Sequence, residues 1–190
     1  MNNLLKTYNF SNFEIVKGNG CYLYTADNKK LLDFSAGVAV NSLGYNHSVV
    51  KKTIQEQLKT GITHLSGSQI HLYKYKLSQL LSKESNKGDV FFSNSGAESI
   101  EAALKIARNF GSSKGRDEII AMTSSFHGRT IGALSVGSNK AYKSNIGPVP
   151  GKVRFCNFND SKNLKKLTNK KTLAIILEFI QGDGGINICS

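Results

Sequence analysis

Cysteine is scarce and badly spaced for cross-linking. Cys21, Cys156 and Cys189 are odd in number, far apart and never arranged as C-x-x-C. That argues against a disulfide framework or a zinc site, and for reduced thiols in a cytosol. Arginine is scarcer than the charge implies. The formal net charge is +12, yet Arg108, Arg116, Arg129 and Arg154 are the only arginines, the rest being lysine spread along the chain among many asparagines. No basic run interleaves with aromatics, so specific nucleic-acid binding is not expected, and the surplus charge serves at most to attract small anions. Long hydrophobic runs are missing too. The strongest, Leu173 to Ile180, is broken by Glu178 and is far too short to span a bilayer, so no membrane partner is expected. The N-terminal stretch MNNLLKTYNF lacks the apolar core of a secretory leader. These absences predict a cytoplasmic protein.

Several motifs are missing as well. No G-x-G-x-x-G follows a first strand, which weighs against nicotinamide binding. No G-x-x-x-x-G-K-[ST] is present, and no G-x-S-x-G elbow sits between an expected strand and helix, which weighs against a P-loop nucleotide site and a serine hydrolase. There is no internal repeat and no low-complexity linker. What remains is a chain of 190 residues, 39% hydrophobic and 20% charged, long enough for one sizeable domain with a core.

The most informative stretch is VFFSNSGAESIEAALKIARNFG, Val90 to Gly111. Its pattern predicts a short strand at Val90–Phe92, a turn through Ser93–Gly96, and a helix. Ser95 and Glu98 fit a capping box, and Ile100, Ala103, Leu104 and Ala107 form one buried stripe at helical spacing. Lys105 and Arg108 suit the negative end of the helix dipole, and Gly111 suits the C-terminal cap. A loop of small residues at a helix N-terminus leaves backbone N–H groups free, an arrangement that binds anions and phosphate above all. A well-capped helix that binds nothing fits this stretch equally well.

Residues 13–34 read as a β-hairpin or short meander punctuated by Gly-Asn-Gly and Ala-Asp-Asn, and residues 35–47 as irregular. Ser48 is placed to cap a helix through Lys59, with Val49, Ile54 and Leu58 apolar and Gly61 stopping it. His64 and His71 lie too far from other ligands to read as a metal pair. A helix is expected over Gln69–Ser82, a strand over Glu118–Met122, a helix through Val136, a strand at Val153–Phe155 and a turn capped by Asp160. Leu173–Phe179 reads as a buried parallel strand.

Strands alternating with helices predict an α/β protein with a mainly parallel sheet, whose ligands sit beyond the carboxyl ends of the strands. The loops SNSGAE, TSSFHGRT and QGDGG each follow an expected strand, so all three should gather on one rim. There they would offer a phosphate cradle, an aromatic (Phe126), an imidazole (His127), a guanidinium (Arg129) and a carboxylate (Asp183). An aromatic beside a phosphate site suits a flat phosphorylated ring, and an arginine suits a carboxylate held by two parallel hydrogen bonds.

With these loops in hand the chain resembles the N-terminal half of the class III pyridoxal-phosphate-dependent aminotransferases, in particular their acetylornithine branch. The resemblance runs from Val16 to Ile186 through Asp33-Phe34, SAGVAVNSLGYNH, FFSNSGAESIEAALKIAR, SFHGRTIGALSVG, IGPVPG and ILEFIQGDGG, in the family's order. It implies fold type I of the pyridoxal-phosphate transferases, like aspartate aminotransferase. Residues 1–60 would be an N-terminal segment of hairpin and helix, part of the small domain. Residues 61–190 would be the first part of the cofactor-binding large domain, without its later strands. It further implies that Ser95, Gly96 and Ala97 hold the phosphate of pyridoxal 5'-phosphate, that Phe126 stacks on its ring and that Arg129 holds the α-carboxylate of an amino-acid substrate. Asp183 would stand where the family has a glutamate that pairs with a later arginine.

The implied reaction transfers an ω-amino group of N-acetylornithine to 2-oxoglutarate, in arginine biosynthesis, by a homodimer. Ornithine, succinylornithine and 4-aminobutyrate enzymes share much of the pattern. The departures are Asp183, one methylene shorter than glutamate, Phe179 and Ser48 where proline is usual, and Gly67 where asparagine is common. No lysine among these residues matches the family's Schiff-base lysine, which belongs to the half that follows. The 190 residues alone are therefore expected to be inactive, and a non-catalytic remnant that holds the cofactor's phosphate, or a basic nucleic-acid-binding domain, stand as alternatives.

Overall fold

The computed structural model describes Leu5 and residues 7–190, so part of the N-terminal stretch read for a leader lies outside the described residues. The chain divides into two compact units, Met1–Gln79 and Leu80–Ser190.

In the first unit, β1 (Ile15–Asn19), β2 (Tyr22–Thr25) and β3 (Lys30–Leu32) form the expected antiparallel meander. Its turns fall where the sequence offers residues that tolerate a left-handed backbone, Gly20 (φ 55) and Asn28 (φ 61). The stretch after β3 folds back on it. Gly20 and Tyr45 exchange backbone hydrogen bonds of 2.9 and 2.8 Å, and the Tyr45 hydroxyl donates to Asp33 Oδ2 at 2.7 Å. Residues 35–47 are less irregular than their composition implies. Ala36, Gly37, Val38 and Ala39 all have φ between 45 and 65°, and Ala39 N–H donates to Ser35 O at 3.0 Å, closing a left-handed turn. Such backbone costs a non-glycine residue about 1–2 kcal/mol. Helix α1 (Ser48–Lys59) keeps its expected span, but its N-cap is His47 and Ser48 lies inside it. Val49, Ile54 and Leu58 are exposed.

Helix α2 spans Leu72–Glu84, three residues later at its start than the sequence implies. Its apolar positions Leu72, Tyr73, Leu77, Leu80 and Leu81 are exposed.

The second unit is a three-layer α/β sandwich. Its parallel sheet has the order β5 (Lys152–Cys156), β4 (Glu118–Met122), β6 (Thr172–Ile176), so β4 is central and paired on both edges. Alternate side chains of β4 face opposite layers, as the pleat requires. Ile119 and Ala121 pack with Leu104 of α3 (Gly96–Ser112) and Val136 of α4 (Ile131–Val136). Ile120 and Met122 pack with Cys156, Leu164 and Leu167, the last two from α5 (Ser161–Leu167). The remaining pieces are a single 3-10 turn at Lys140–Lys143 and the short antiparallel pair β7 (Ile180–Gln181) and β8 (Asn187–Ile188).

Four expectations need correcting. Val90–Phe92 is not a strand, because no described segment pairs with its backbone, and Phe91 is exposed. β6 stops at Ile176, and as an edge strand it is only partly buried, with Ile175 exposed. Ala103 faces solvent, and the buried face of α3 runs through Ile100, Leu104, Ala107 and Gly111 instead. Gly111 does not cap α3. It lies inside the helix, where a Cβ would collide with Leu173 Cδ1, and the left-handed stop falls at Gly115 (φ 64). The string Gly111–Gly115 matches G-x-S-x-G but ends a helix rather than opening one, so it is no nucleophile elbow.

Candidate functional site

The start of α3 is built by its cap. Ser95 is extended (φ −151°, ψ 160°), and its Oγ accepts from Glu98 N–H at 3.2 Å. Glu98 reaches back past the cap residue, accepting from Asn94 N–H at 2.6 Å, so the box closes one residue earlier than the motif implies. Gly96 and Ala97 are the first helical residues and have no acceptor within the helix for their N–H groups. A side chain at Gly96 would meet nothing within 4 Å, so the positive end of this 17-residue helix is open to approach.

The loop after β4 is packed against that opening. Ser124 has a left-handed backbone (φ 58°), and the buried Ser125 donates from Oγ to Met122 O at 2.7 Å. Phe126 N–H donates to Glu178 Oε1 at 2.8 Å, and its ring is half-buried. His127 is 8% exposed and its Nε2 has no hydrogen-bond partner. Burial pushes its pKa below the usual imidazole value, and the nearby Glu178 charge opposes that shift. Gly128 (φ 127°) lets the loop reach α3: a Cβ there would lie 2.8 Å from Ala97 Cβ. One turn further along α3, Glu101 Oε1 accepts from Gly132 N–H at 2.9 Å and Ala133 N–H at 3.3 Å, tying α4 to α3.

The third loop joins the second from the other side. Gln181 is fully buried and donates from Nε2 to Thr123 O at 2.8 Å. Gly184 passes so near Ser124 O that a Cβ would clash with it. Asp183 is exposed, and its Oδ1 accepts from the Tyr142 hydroxyl at 3.3 Å. The Tyr142 ring meets Phe126 nearly edge-on (centroids 5.7 Å, 71°). Arg129 Cζ lies 5.1 Å from the Tyr142 ring centroid and 6.0 Å from that of Phe126.

So loop 123–130 meets residues 93–98 on one side and residues 181–185 on the other, with an amide-lined helix start, an aromatic, a guanidinium and a carboxylate among them. The class III aminotransferase family model matches residues 6–190. The chain belongs to the class III aminotransferases. It is 41% identical over 186 residues to the acetylornithine aminotransferase of Clostridium acetobutylicum, covering 96% of this chain and 48% of that one. It is 42% identical over 191 residues to the mitochondrial acetylornithine aminotransferase of Debaryomyces hansenii, covering 95% of this chain and 41% of that one. Its fold superposes on the ornithine aminotransferase of Toxoplasma gondii, a structure with pyridoxal phosphate partly occupying the active site. The TM-score is 0.90 at 25% identity, covering 99% of this chain and 45% of that one. The chain thus spans less than half the length of these class III relatives.

Three residues of this class III chain join its loops without a motif to announce them. Glu178 carries the single signal that was available, a charge interrupting an apolar run. Glu101 sits on the polar side of an amphipathic helix, and Tyr142 lies in a connection with no pattern at all. Among the described residues no helix is long and apolar enough to cross a membrane, and no group of three or more His, Cys, Asp or Glu is placed to hold a metal. His71 uses Nδ1 to accept from Tyr73 N–H at 3.3 Å.

Proposed function

We propose that the protein carrying these residues is a pyridoxal-phosphate-dependent aminotransferase that moves an ω-amino group between N-acetylornithine and 2-oxoglutarate, a step of arginine biosynthesis, and that it works as a homodimer. The observation that carries this is the open start of α3, with Gly128 seating the Phe126 loop against Ala97. The residues fit the cofactor. Two amides without helical acceptors and the Ser95 hydroxyl suit a phosphate, open space stands over Gly96, and a half-buried aromatic is pinned on the adjoining loop. The bound cofactor supplies the electron sink for the reaction.

In this reading Ser95, Gly96 and Ala97 hold the phosphate and Phe126 lies against the ring. The Phe126 main chain is fixed by Glu178, which steadies the aromatic at no cost to its side chain. Arg129 receives a substrate carboxylate, and Asp183 occupies the position of the family's glutamate that pairs with a later arginine. Acetylornithine is favoured over ornithine because identity is about 40% to acetylornithine enzymes and 25% to the ornithine enzyme of similar fold. The 190 residues alone hold no lysine in the context that links the cofactor, and we expect them to bind it without turnover.

The test is a spectroscopic titration with pyridoxal phosphate, with pyridoxal as the phosphate-free control. Gly96→Pro removes one amide donor at a helix position that tolerates proline, after an extended residue and with space for the ring. The phosphate-dependent part of the affinity should fall about tenfold with the helix intact. Equal affinity for the two compounds would overturn the proposal. So would a protein that turns over another amino donor in preference to N-acetylornithine.

A further inference from the structure

Helix α4 has no side-chain cap of its own. Its N-cap residue Thr130 is extended (φ −71°, ψ 160°) and makes no side-chain cap bond. Such a cap would serve the second or third helical amide. Here both amides go to another helix: Glu101 Oε1 of α3 accepts from Gly132 N–H at 2.9 Å and from Ala133 N–H at 3.3 Å. The contacts continue toward the phosphate cradle. Ala133 is fully buried, and Gly128 lies between it and α3, since a Cβ at Gly128 would come within 3.2 Å of Ala133 Cβ and 2.8 Å of Ala97 Cβ. The segment from Phe126 to Ala133 is therefore gripped at both ends by carboxylates from outside it, Glu178 at Phe126 N–H and Glu101 at the start of α4.

We propose that Glu101 is a positioning residue for the cofactor ring: by capping α4 it keeps Ala133 against Gly128 and Gly128 against Ala97, which sets where the Phe126 ring stands relative to the phosphate cradle. The proposal rests on the assignment of Ser95, Gly96 and Ala97 to the phosphate and of Phe126 to the ring. Three physical points carry it. First, the cradle and Glu101 belong to one helix, with Glu101 little more than a turn beyond Gly96, so the element that holds the phosphate also fixes the place of α4. Second, a carboxylate oxygen serving two amides makes charge-assisted bonds stronger than neutral ones, and its removal leaves two donors without an acceptor. Third, the two helices meet without slack: a Cβ at Gly132 would collide with Glu101 Oε2, so a side chain there displaces the carboxylate. A residue that touches neither ring nor phosphate thus fixes the spacing between the groups that do.

The experiment follows two NMR signals in the protein carrying these residues, prepared free of cofactor. One is the Gly96 amide, titrated with inorganic phosphate or with pyridoxine 5'-phosphate, a phosphorylated ring whose lack of an aldehyde rules out a covalent link to any lysine. The other is the Overhauser contact between the Ala97 methyl and the Gly128 Hα, recorded without ligand. Glu101→Ala should weaken pyridoxine phosphate binding about fivefold, leave inorganic phosphate within about twofold, and abolish the Ala97–Gly128 contact. Glu101→Gln keeps the acceptor oxygen and should restore most of the affinity and the contact. Gly132→Ala keeps the carboxylate but displaces it while raising helix propensity, so it should fold and show the same selective loss. In a Phe126→Ala background Glu101→Ala should cost nothing further, the signature of an effect exerted through the ring. Parental affinity in both Glu101→Ala and Gly132→Ala, an equal loss for the two ligands, or the same loss in the Phe126→Ala background would each overturn the proposal. A parent protein whose Gly96 amide responds to neither ligand would overturn the proposed function, and an Ala97–Gly128 contact that survives Glu101→Ala would still overturn the role of Glu101.

Discussion

The main-chain N–H of Phe126 donates to Glu178 Oε1 at 2.8 Å, joining residues 52 apart in sequence and fixing the loop after β4 to the end of β6. A backbone donor held by a partly buried carboxylate is left without its acceptor when the side chain is truncated, and an orphaned donor costs about 1–3 kcal/mol. Glu178→Ala should therefore lower the urea midpoint by an amount worth about 1–2 kcal/mol. Glu178→Gln keeps an acceptor oxygen and should recover at least half of that. A Glu178→Ala midpoint equal to the parent's would mean that the contact is not held in solution.

His127 gives the fold a pH dependence of definite sign. Its buried imidazole has a pKa below the usual value, chiefly through burial and against the pull of Glu178. The unfolded chain takes up its proton near pH 6.5 while the folded chain resists, so unfolding binds more protons in that window and stability falls with the pH. From pH 7.5 to 5.5 the parent should lose more stability than His127→Gln, measured as paired urea midpoints. Parallel losses in the two proteins would place the titrating group elsewhere.

Gly111 allows α3 to lie close to β6. A Cβ there would collide with Leu173 Cδ1 and sit 3.2 Å from Arg116 O. Alanine is the better helix former by about 1 kcal/mol, but overpacking costs about 1–3 kcal/mol. Gly111→Ala should thus destabilise the protein in spite of its helix propensity. Adding Leu173→Ala removes the colliding methyl groups, so the double variant should lose less than the sum of the two single changes. Additive thermal shifts would show that the two residues do not meet.

Local pattern made much of the second unit legible. The capping residues Ser95 and Asp160, the apolar strand Glu118–Met122 and the helical spacing of Ile100, Leu104 and Ala107 all act over a few residues, and they place their elements as expected. What depended on distant partners was not legible. Val90–Phe92 has the composition of a strand, but a strand exists only where a ladder forms, and no described segment supplies one. Gly111 looks like a cap until Leu173 is brought beside it. In the site, the order of the loops foretold that Phe126, Arg129 and Asp183 would lie near one another. Tyr142 had no signal and Glu178 only a charge interrupting an apolar run, because hydrogen bonds across 41 and 52 residues leave no periodicity in the sequence.

Asp33 offers the cleanest electrostatic measurement. Its carboxylate accepts from the Ser35 hydroxyl at 2.6 Å, the Tyr45 hydroxyl at 2.7 Å and Ser35 N–H at 2.8 Å. These bonds favour the charged form and hold the pKa at about 2, with the Ser35 hydroxyl contributing most and Tyr45 next. A depressed carboxylate contributes stability that is present above the unfolded value of 3.8 and is lost as the pH falls through about 2. A 13C-detected titration of the Asp33 carboxyl should find its midpoint near 2 in the parent protein. Ser35→Ala should raise it toward 3.8 by more than Tyr45→Phe does, since alanine removes the largest contribution while Tyr45→Phe removes the second. The reverse order would show that the aspartate is held mainly by the residue that closes residues 35–45 onto the meander, and a parent midpoint near 3.8 would show that neither hydroxyl engages it.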